Sequence, residues 1–376
     1  MQVENLFKII ENNIIGDFYT GVPDSQLKSF CDFIYNKYGI SKNHIIAANE
    51  GNSVALAAGY HLSTGKTPVV YMQNSGEGNI INPVASLLND NVYGIPCLFI
   101  IGWRGEPGVH DEPQHVYQGA VTLKLLEDMD IAHFVLDKTT TTEDLDRFIS
   151  SGKDRFAEGK SIAIVVKKGA LTYDEKVKYT NDFSVSREDI IKKIVEYTKD
   201  DVIVSTTGKA SRELFEIRES NKQSHKYDFL TVGSMGHSSS IALGIALNKP
   251  TKRVWCIDGD GAALMHMGAM AVIGNNSPAN LVHIVINNGA HETVGGMPTV
   301  SNTLDLCGVA KACGYKKIYT ASDLDELAKC LDEIKETREL TFLEIKCAIG
   351  ARADLGRPTT TAKYNKQIFM ENLLTE

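Results

Sequence analysis

Ile257-Asp258-Gly259-Asp260-Gly261 and, further on, Ile286-Asn287-Asn288-Gly289 are the two stretches on which the reading of the fold turns. Each closes an apolar run. Residues 253–257 and 281–286 read as strands, short, aliphatic and bounded by turn residues. Twenty-five residues separate Gly261 from Asn287, enough for a helix over 262–273 and a return. Strand, helix and strand in that order make a parallel crossover. Both polar clusters then lie at carboxyl ends of strands, where open α/β sheets bind ligands. An ionised carboxylate and a neutral amide oxygen there suit a hard divalent cation, which can bridge to a diphosphate. Gly259 and Gly261 let the backbone approach phosphate closely, and the helix opening at Ala262 offers free N–H groups. Either stretch alone is also an ordinary turn, with Asp260 as a cap and Asn288-Gly289 closing a loop.

Working outward, residues 201–205 and 342–345 read as further strands, and 241–247, 303–313 and 324–335 as helices. Residues 186–197 read as a helix capped by Ser186, with Asp189 in the place usually taken by Glu. Thr206, Thr207 and Gly208 form a turn between strand and helix, placed either to hold phosphate oxygens or to act as a plain cap. Met235, in Val232-Gly233-Ser234-Met235-Gly236-His237-Ser238, reads on its own as core filler.

The first half repeats the architecture without repeating the sequence. Residues 44–47, 67–72, 97–101, 131–135 and 162–166 read as strands, and 50–62 and 142–156 as helices. The fold class is α/β, two doubly wound parallel-sheet domains. They span 1–168 and 186–376, and residues 169–185 lose apolar periodicity and read as a linker. Glu50 opens a helix otherwise nearly free of charge, where the helix dipole favours a carboxylate, as a cap or as a functional acid. Asp24 precedes a helix read over 25–33 and is either its N-cap or a polar site residue.

Composition excludes some classes. With 376 residues, 43% hydrophobic and 23% charged, the chain is of ordinary globular make-up. No apolar run reaches the roughly 20 residues of a bilayer span, and the start, MQVENLFKIIENN, reads as no signal peptide. A formal net charge of −8 argues against non-specific nucleic-acid binding. Seven cysteines without a CxxC pair read as reduced core thiols, which places the expected compartment in the cytoplasm. No GxGxxG follows a strand, which disfavours a nucleotide-binding dehydrogenase.

The Asp258–Gly261 and Asn287–Gly289 stretches resemble the diphosphate-binding motif of thiamine-diphosphate-dependent enzymes. That resemblance implies thiamine diphosphate and Mg2+ as cofactors. It makes Asp260 and Asn288 side-chain ligands and the Ala290 carbonyl a third, with Asn287 as the fallback if the alignment slips by one. It makes Met235 the wedge beneath the folded cofactor. Ala47-Ala48-Asn49-Glu50-Gly51-Asn52-Ser53, running on to Gly59-Tyr60 and Thr64-Gly65, resembles the family segment whose Glu binds the pyrimidine ring; Glu50 takes that role. The family shares each site between subunits, so a homo-oligomer is implied.

The short linker leaves no middle domain, which points to the short branch that holds phosphonopyruvate and sulfopyruvate decarboxylases. Tyr19-Thr20-Gly21-Val22-Pro23-Asp24-Ser25 resembles that branch's GVPDS signature. Gly102-Trp103-Arg104-Gly105 with Asp111-Glu112-Pro113-Gln114-His115, the segment 350–361, and Asn288–Gly296 resemble other segments of the same branch. The implied substrate is a small anionic 2-oxo acid. Arg104, Arg352 and Arg357 are candidates for its anionic tail, since guanidinium forks match phosphonate oxygens, or are solvated loop charges. Asp24 and His115 are candidate proton donors, and His291 is a candidate substrate or structural residue. Two other readings stay open: a carboligase, and a catalytically silent subunit that keeps the fold.

Overall fold

The computed structural model describes residues 1–14 and 16–375. The chain divides into two compact units, Met1–Lys178 and Tyr179–Glu376. Each is built on a six-stranded sheet whose strand pairings are all parallel.

In unit 1 the strands are β1 (Tyr19–Gly21), β2 (His44–Ile46), β3 (Val69–Gln73), β4 (Leu98–Gly102), β5 (Ala132–Leu136) and β6 (Ile162–Val166). The helices are α1 (Val3–Asn13), α2 (Lys28–Tyr38), α3 (Glu50–Thr64), α4 (Glu77–Pro83), α5 (Pro113–Asp128) and α6 (Thr142–Ala157). The sheet order is β2-β1-β3-β4-β6-β5. β4 and β6 are buried at every position, as expected of central parallel strands covered on both faces. The edge strand β5 is only partly buried. The chain goes from β1 outward to β2 and then returns to the other side of β1 as β3. That reversal is a topological switch point, and it opens a crevice above the ends of β1 and β3.

Unit 2 repeats the plan. Its strands are β7 (Val202–Ser205), β8 (Asp228–Leu230), β9 (Val254–Gly259), β10 (Leu281–Asn287), β11 (Lys317–Ala321) and β12 (Thr341–Lys346). Its helices are α7 (Arg187–Thr198), α8 (Lys209–Ser220), α9 (Ser238–Asn248), α10 (Asp260–Met265), α11 (Gly268–Asn276), α12 (Leu306–Cys313), α13 (Leu324–Glu336) and α14 (Ala362–Leu374). The order β11-β12-β10-β9-β7-β8 places the switch point between β7 and β9. Two apolar layers sandwich the sheet. Ile190, Ile194 and Leu214 with Leu327 and Leu331 fill one. Ala242, Met270, Ile273, Leu306 and Phe369 fill the other.

Several expected boundaries shift. The helix expected over 262–273 is two, α10 and α11, broken at His266 and Met267. The helix expected from 303 starts at Leu306, where Asp305 caps it by accepting from the Gly308 N–H. The helix expected over 25–33 is α2, three residues later, and Asp24 does not cap it. Asp24 instead accepts the Gln26 N–H in a tight turn before the helix. Ser186 caps α7 as expected, accepting from the Asp189 N–H. The stretch read as a linker is pinned at both ends. Ala170, Leu171 and Tyr173 are buried in unit 1. In unit 2, Asn181 donates to the carbonyls of Asn288 and Cys347.

Among the described residues no helix is long and apolar enough to cross a membrane. All seven cysteines are free.

Candidate active site

In unit 1 the expected residues gather at the switch point. Glu50 is the first residue of α3 and is buried, with Asn49 capping the helix beside it. Asn79 Nδ2 of α4 donates to Glu50 Oε2 at 2.6 Å. Gly76 leaves no room on the other side. A methyl group there would stand 2.4 Å from Glu50 Cγ. The carboxylate is therefore held by one amide and one missing side chain.

Asp24 follows β1 and is fully buried. Gln73 Nε2, at the end of β3, donates to its Oδ1 at 2.5 Å. Gly102, at the end of β4, has only hydrogen facing it, since a Cβ would lie 2.1 Å from Asp24 Oδ2. Burial raises the Asp24 pKa, while Gln73 and the positive charge of Arg104 act in the other direction. Arg104 is gripped by Asp111, with Nε to Oδ2 at 2.8 Å and Nη2 to Oδ1 at 2.5 Å, and its Nη1 donates to Ser25 Oγ at 3.3 Å. His115 lies in the first turn of α5 rather than in a loop. It is buried, and its Nδ1 has no hydrogen-bond partner among the described residues. Burial first, and Arg104 second, lower its pKa. Asp24, Ser25, Gln73, Arg104 and His115 thus form one polar cluster joined by contacts and charge.

In unit 2, β9 and β10 are neighbours in register, Gly259 opposite Ile286, so Asp260 and Asn287 emerge side by side. Asp260 is 3% exposed. Its Oδ2 accepts from Thr299 Oγ1 at 2.5 Å and Ser301 Oγ at 2.9 Å. Among the described residues no Lys or Arg pairs with it. Burial raises its pKa against those two hydroxyl bonds. A carboxylate buried without a counter-charge costs several kcal/mol, roughly, and a divalent cation would offset that cost.

The two asparagines differ in what they have left to give. Asn287 Oδ1 accepts from the Gly289 N–H at 2.9 Å and lies 2.9 Å from Ser301 Oγ, whose one proton goes either to it or to Asp260, and its Nδ2 donates to Glu344. That oxygen is thus crowded on both sides. Asn288 Oδ1 accepts only the Ala290 N–H, at 3.0 Å, and keeps one lone pair. Its Nδ2 donates to Glu292 Oε2 at 2.9 Å.

Beside Asp260 the chain closes in around Gly261. A Cβ on Gly261 would lie 3.2 Å from Met235 Cε and 3.2 Å from His291 Nδ1, so both side chains close on this glycine. Ser234 and Gly236 flank Met235 with φ of 53° and 85°, a sharp turn that presents the methionine. Burial pushes the His291 pKa down to about 4, so its ring is neutral at physiological pH. Thr206 is buried at the end of β7, and Thr207 Oγ1 donates to the Val232 carbonyl at 2.8 Å. Gly208 opens α8 with φ of 89°. Gly259 and Ala262 flank Asp260 and Gly261.

The two remaining arginines lie between β12 and α14, both exposed. The Arg352 guanidinium is met by Glu188 at 3.1 Å, by Asp354 at 3.3 Å and by Glu216. Arg104 is accordingly the arginine whose surroundings hold other candidate substrate residues.

Sequence reading did not find Asn79, Gln73, Thr299, Ser301 or Glu292. Thr299 and Ser301 lie on an irregular turn with no period to mark them. Arg187 carried a signal: a cation in the first turn of a helix opposes the dipole. Its buried pairing with Glu213 and Glu292 is the reason it stands there.

Two such sheets, with a buried acid opening a helix in one and a buried Asp beside two asparagines in the other, are the arrangement expected of a thiamine-diphosphate enzyme. The model of the thiamine pyrophosphate enzyme N-terminal TPP binding domain matches residues 4–126, and that of the C-terminal TPP binding domain matches 206–345. The chain is 32% identical over 360 residues to the phosphonopyruvate decarboxylase of Streptomyces viridochromogenes, covering 91% of this chain and 87% of that one. It is 32% identical over 356 residues to the phosphonopyruvate decarboxylase of Streptomyces hygroscopicus, covering 90% and 86%. It is 30% identical over 366 residues to the sulfopyruvate decarboxylase of Methanosarcina acetivorans, covering 91% and 90%. The chain belongs to the thiamine pyrophosphate enzymes, in the group that holds these decarboxylases.

Proposed function

We propose that the chain decarboxylates 3-phosphonopyruvate to 2-phosphonoacetaldehyde and CO2, with thiamine diphosphate and Mg2+. The observation that carries this is the likeness to phosphonopyruvate decarboxylases along nearly the whole chain, both site halves included. Asp260, Asn288 and the Ala290 carbonyl hold the metal. The burial of Asp260 without a counter-charge supports a cation there, and the open side of Asn288 Oδ1 supports that asparagine over Asn287, whose oxygen Ser301 crowds. Thr206, Thr207, Gly208, Gly259, Gly261 and Ala262 line the diphosphate, and Met235 supports the ring. When bound, thiamine diphosphate supplies the electron sink for loss of CO2. Glu50, fixed by Asn79 and Gly76, holds a proton at the aminopyrimidine. Arg104 binds the anionic tail. Asp24 or His115, on the same crevice, delivers the proton that replaces CO2. Pairing of unit 1 of one subunit with unit 2 of another completes each site.

The test compares kcat/KM for phosphonopyruvate, sulfopyruvate and pyruvate on purified protein with both cofactors. A buried charge-assisted bond is worth about 1.5–3 kcal/mol, so phosphonopyruvate should exceed pyruvate by roughly 10- to 100-fold or more. Arg104→Met should remove most of that ratio and spare pyruvate. Preference for sulfopyruvate would favour the second reading, which the Methanosarcina acetivorans relative supports at 30% identity. No turnover of any 2-oxo acid would overturn both.

A further inference from the structure

We infer that Glu292 is a positioning residue: it fixes the Asn288 amide so that its oxygen, not its nitrogen, faces the cation. The inference rests on the reading of Asn288 as a metal ligand. An asparagine side chain turned over about its last torsion presents NH2 where it had presented oxygen, and an NH2 cannot bind a cation. Here both ends of the amide are met by partners of one polarity. Glu292 Oε2 only accepts, and it takes Nδ2 at 2.9 Å. The Ala290 N–H only donates, and it meets Oδ1 at 3.0 Å. The orientation is set by chemistry.

Glu292 is itself clamped. Arg187 Nη1 donates to its Oε2 at 2.9 Å, and Lys209 Nζ to its Oε1 at 2.8 Å. Glu213 grips the other side of Arg187 through two bonds, at 2.7 and 2.8 Å. The Glu292 and Arg187 side chains are 7% and 9% exposed. The first residues of α7 and α8 are thereby tied to the turn that follows the metal loop. Two cations and two carboxylates balance, so the clamp leaves no net positive charge to repel a metal ion beside it. None of this is needed to stack the sheet, whose core lies in the apolar layers.

The test follows thiamine diphosphate binding to the apo protein by calorimetry, at rising Mg2+ and, separately, at rising Ca2+. Losing a partner that orients a metal ligand typically weakens metal affinity roughly 10- to 100-fold. Glu292→Ala should therefore raise the Mg2+ midpoint by that factor. Mg2+ demands near-octahedral geometry and Ca2+ tolerates variation, so the Ca2+ midpoint should rise clearly less. Glu292→Gln keeps an acceptor for Asn288 but leaves the clamp one positive charge in excess, so it should recover part of the Mg2+ affinity that the alanine variant loses. Glu292→Met, which fills the space without accepting, serves if the alanine variant does not fold. Unchanged midpoints, or equal shifts for both metals, would show a role in packing only and overturn the inference. Asn288→Ala separates the two levels. If it too leaves both midpoints unchanged, the ligand assignment fails, and the inference with it.

Discussion

Gly76 and Glu77 are neighbours in sequence that constrain two different carboxyl groups. Gly76 has φ of −78° and ψ of −11°, a conformation alanine adopts without strain. Gly76→Ala therefore leaves the backbone untroubled and drives a methyl into Glu50. Turnover should fall about 10²-fold or more, the scale of misplaced acid–base catalysis, while the melting temperature changes little. Wild-type turnover would show that the position of Glu50 is not critical. Glu77 is 1% exposed, and its Oε1 has no partner among the described residues. Burial raises its pKa from 4.5 to about 8, against a hydrogen bond with Thr122. Between those values the folded chain binds a proton that the unfolded chain does not. Stability contributed by this group is thus fully present below about 4.5, and it falls as pH rises toward 8 and then levels. Glu77→Gln removes that slope and should stabilise the protein at pH 8 by about 1–3 kcal/mol. Denaturant melts of both proteins from pH 5 to 9 check this. Parallel curves would mean that Glu77 titrates normally.

Elements were legible where the pattern was long and one-sided. β6 lies where its run of Ile and Val placed it, and α7 and α13 begin within a residue of expectation. β1 and β8 have three residues each and escape the sequence reading; β2, equally short, was legible because residues 44–47 hold a compact aliphatic run. α10 and α11 merged into one helix because apolar residues continue across the break at His266. The site was legible where chemistry is local in sequence, as in Asp258–Gly261. Partners brought from 41 residues away, as Ser301 is to Asp260, leave no mark on spacing. Nor does a close helix crossing. Gly274 of α11 reads as a weak helix former, yet a Cβ there would lie 1.7 Å from the Cys313 carbonyl at the end of α12. Gly274→Ala should therefore destabilise, against its better helix propensity, by about 1–3 kcal/mol through overpacking. A higher melting temperature would mean that the two helices separate freely.

At the scale of the whole molecule, the decisive residues fall in different units. Glu50 and the Arg104 cluster belong to unit 1, and Asp260 with Asn288 belongs to unit 2. Each half stands at its own switch point, and neither carries both Glu50 and the proposed metal ligands. The proposed pairing across copies makes a specific demand on mixtures. Glu50→Gln and Asp260→Ala should each be inactive alone, the first for want of the acid and the second for want of the metal. When the two are co-expressed with different tags, a mixed pair holds one site with both native residues and one site with neither. Random pairing makes half the pairs mixed, with one of two sites working, so roughly a quarter of wild-type turnover should return. Purification through both tags in succession isolates the mixed pairs and should raise that to about half. If one chain instead supplied both halves of its own site, every site in the mixture would carry one lesion, and co-expression would restore nothing.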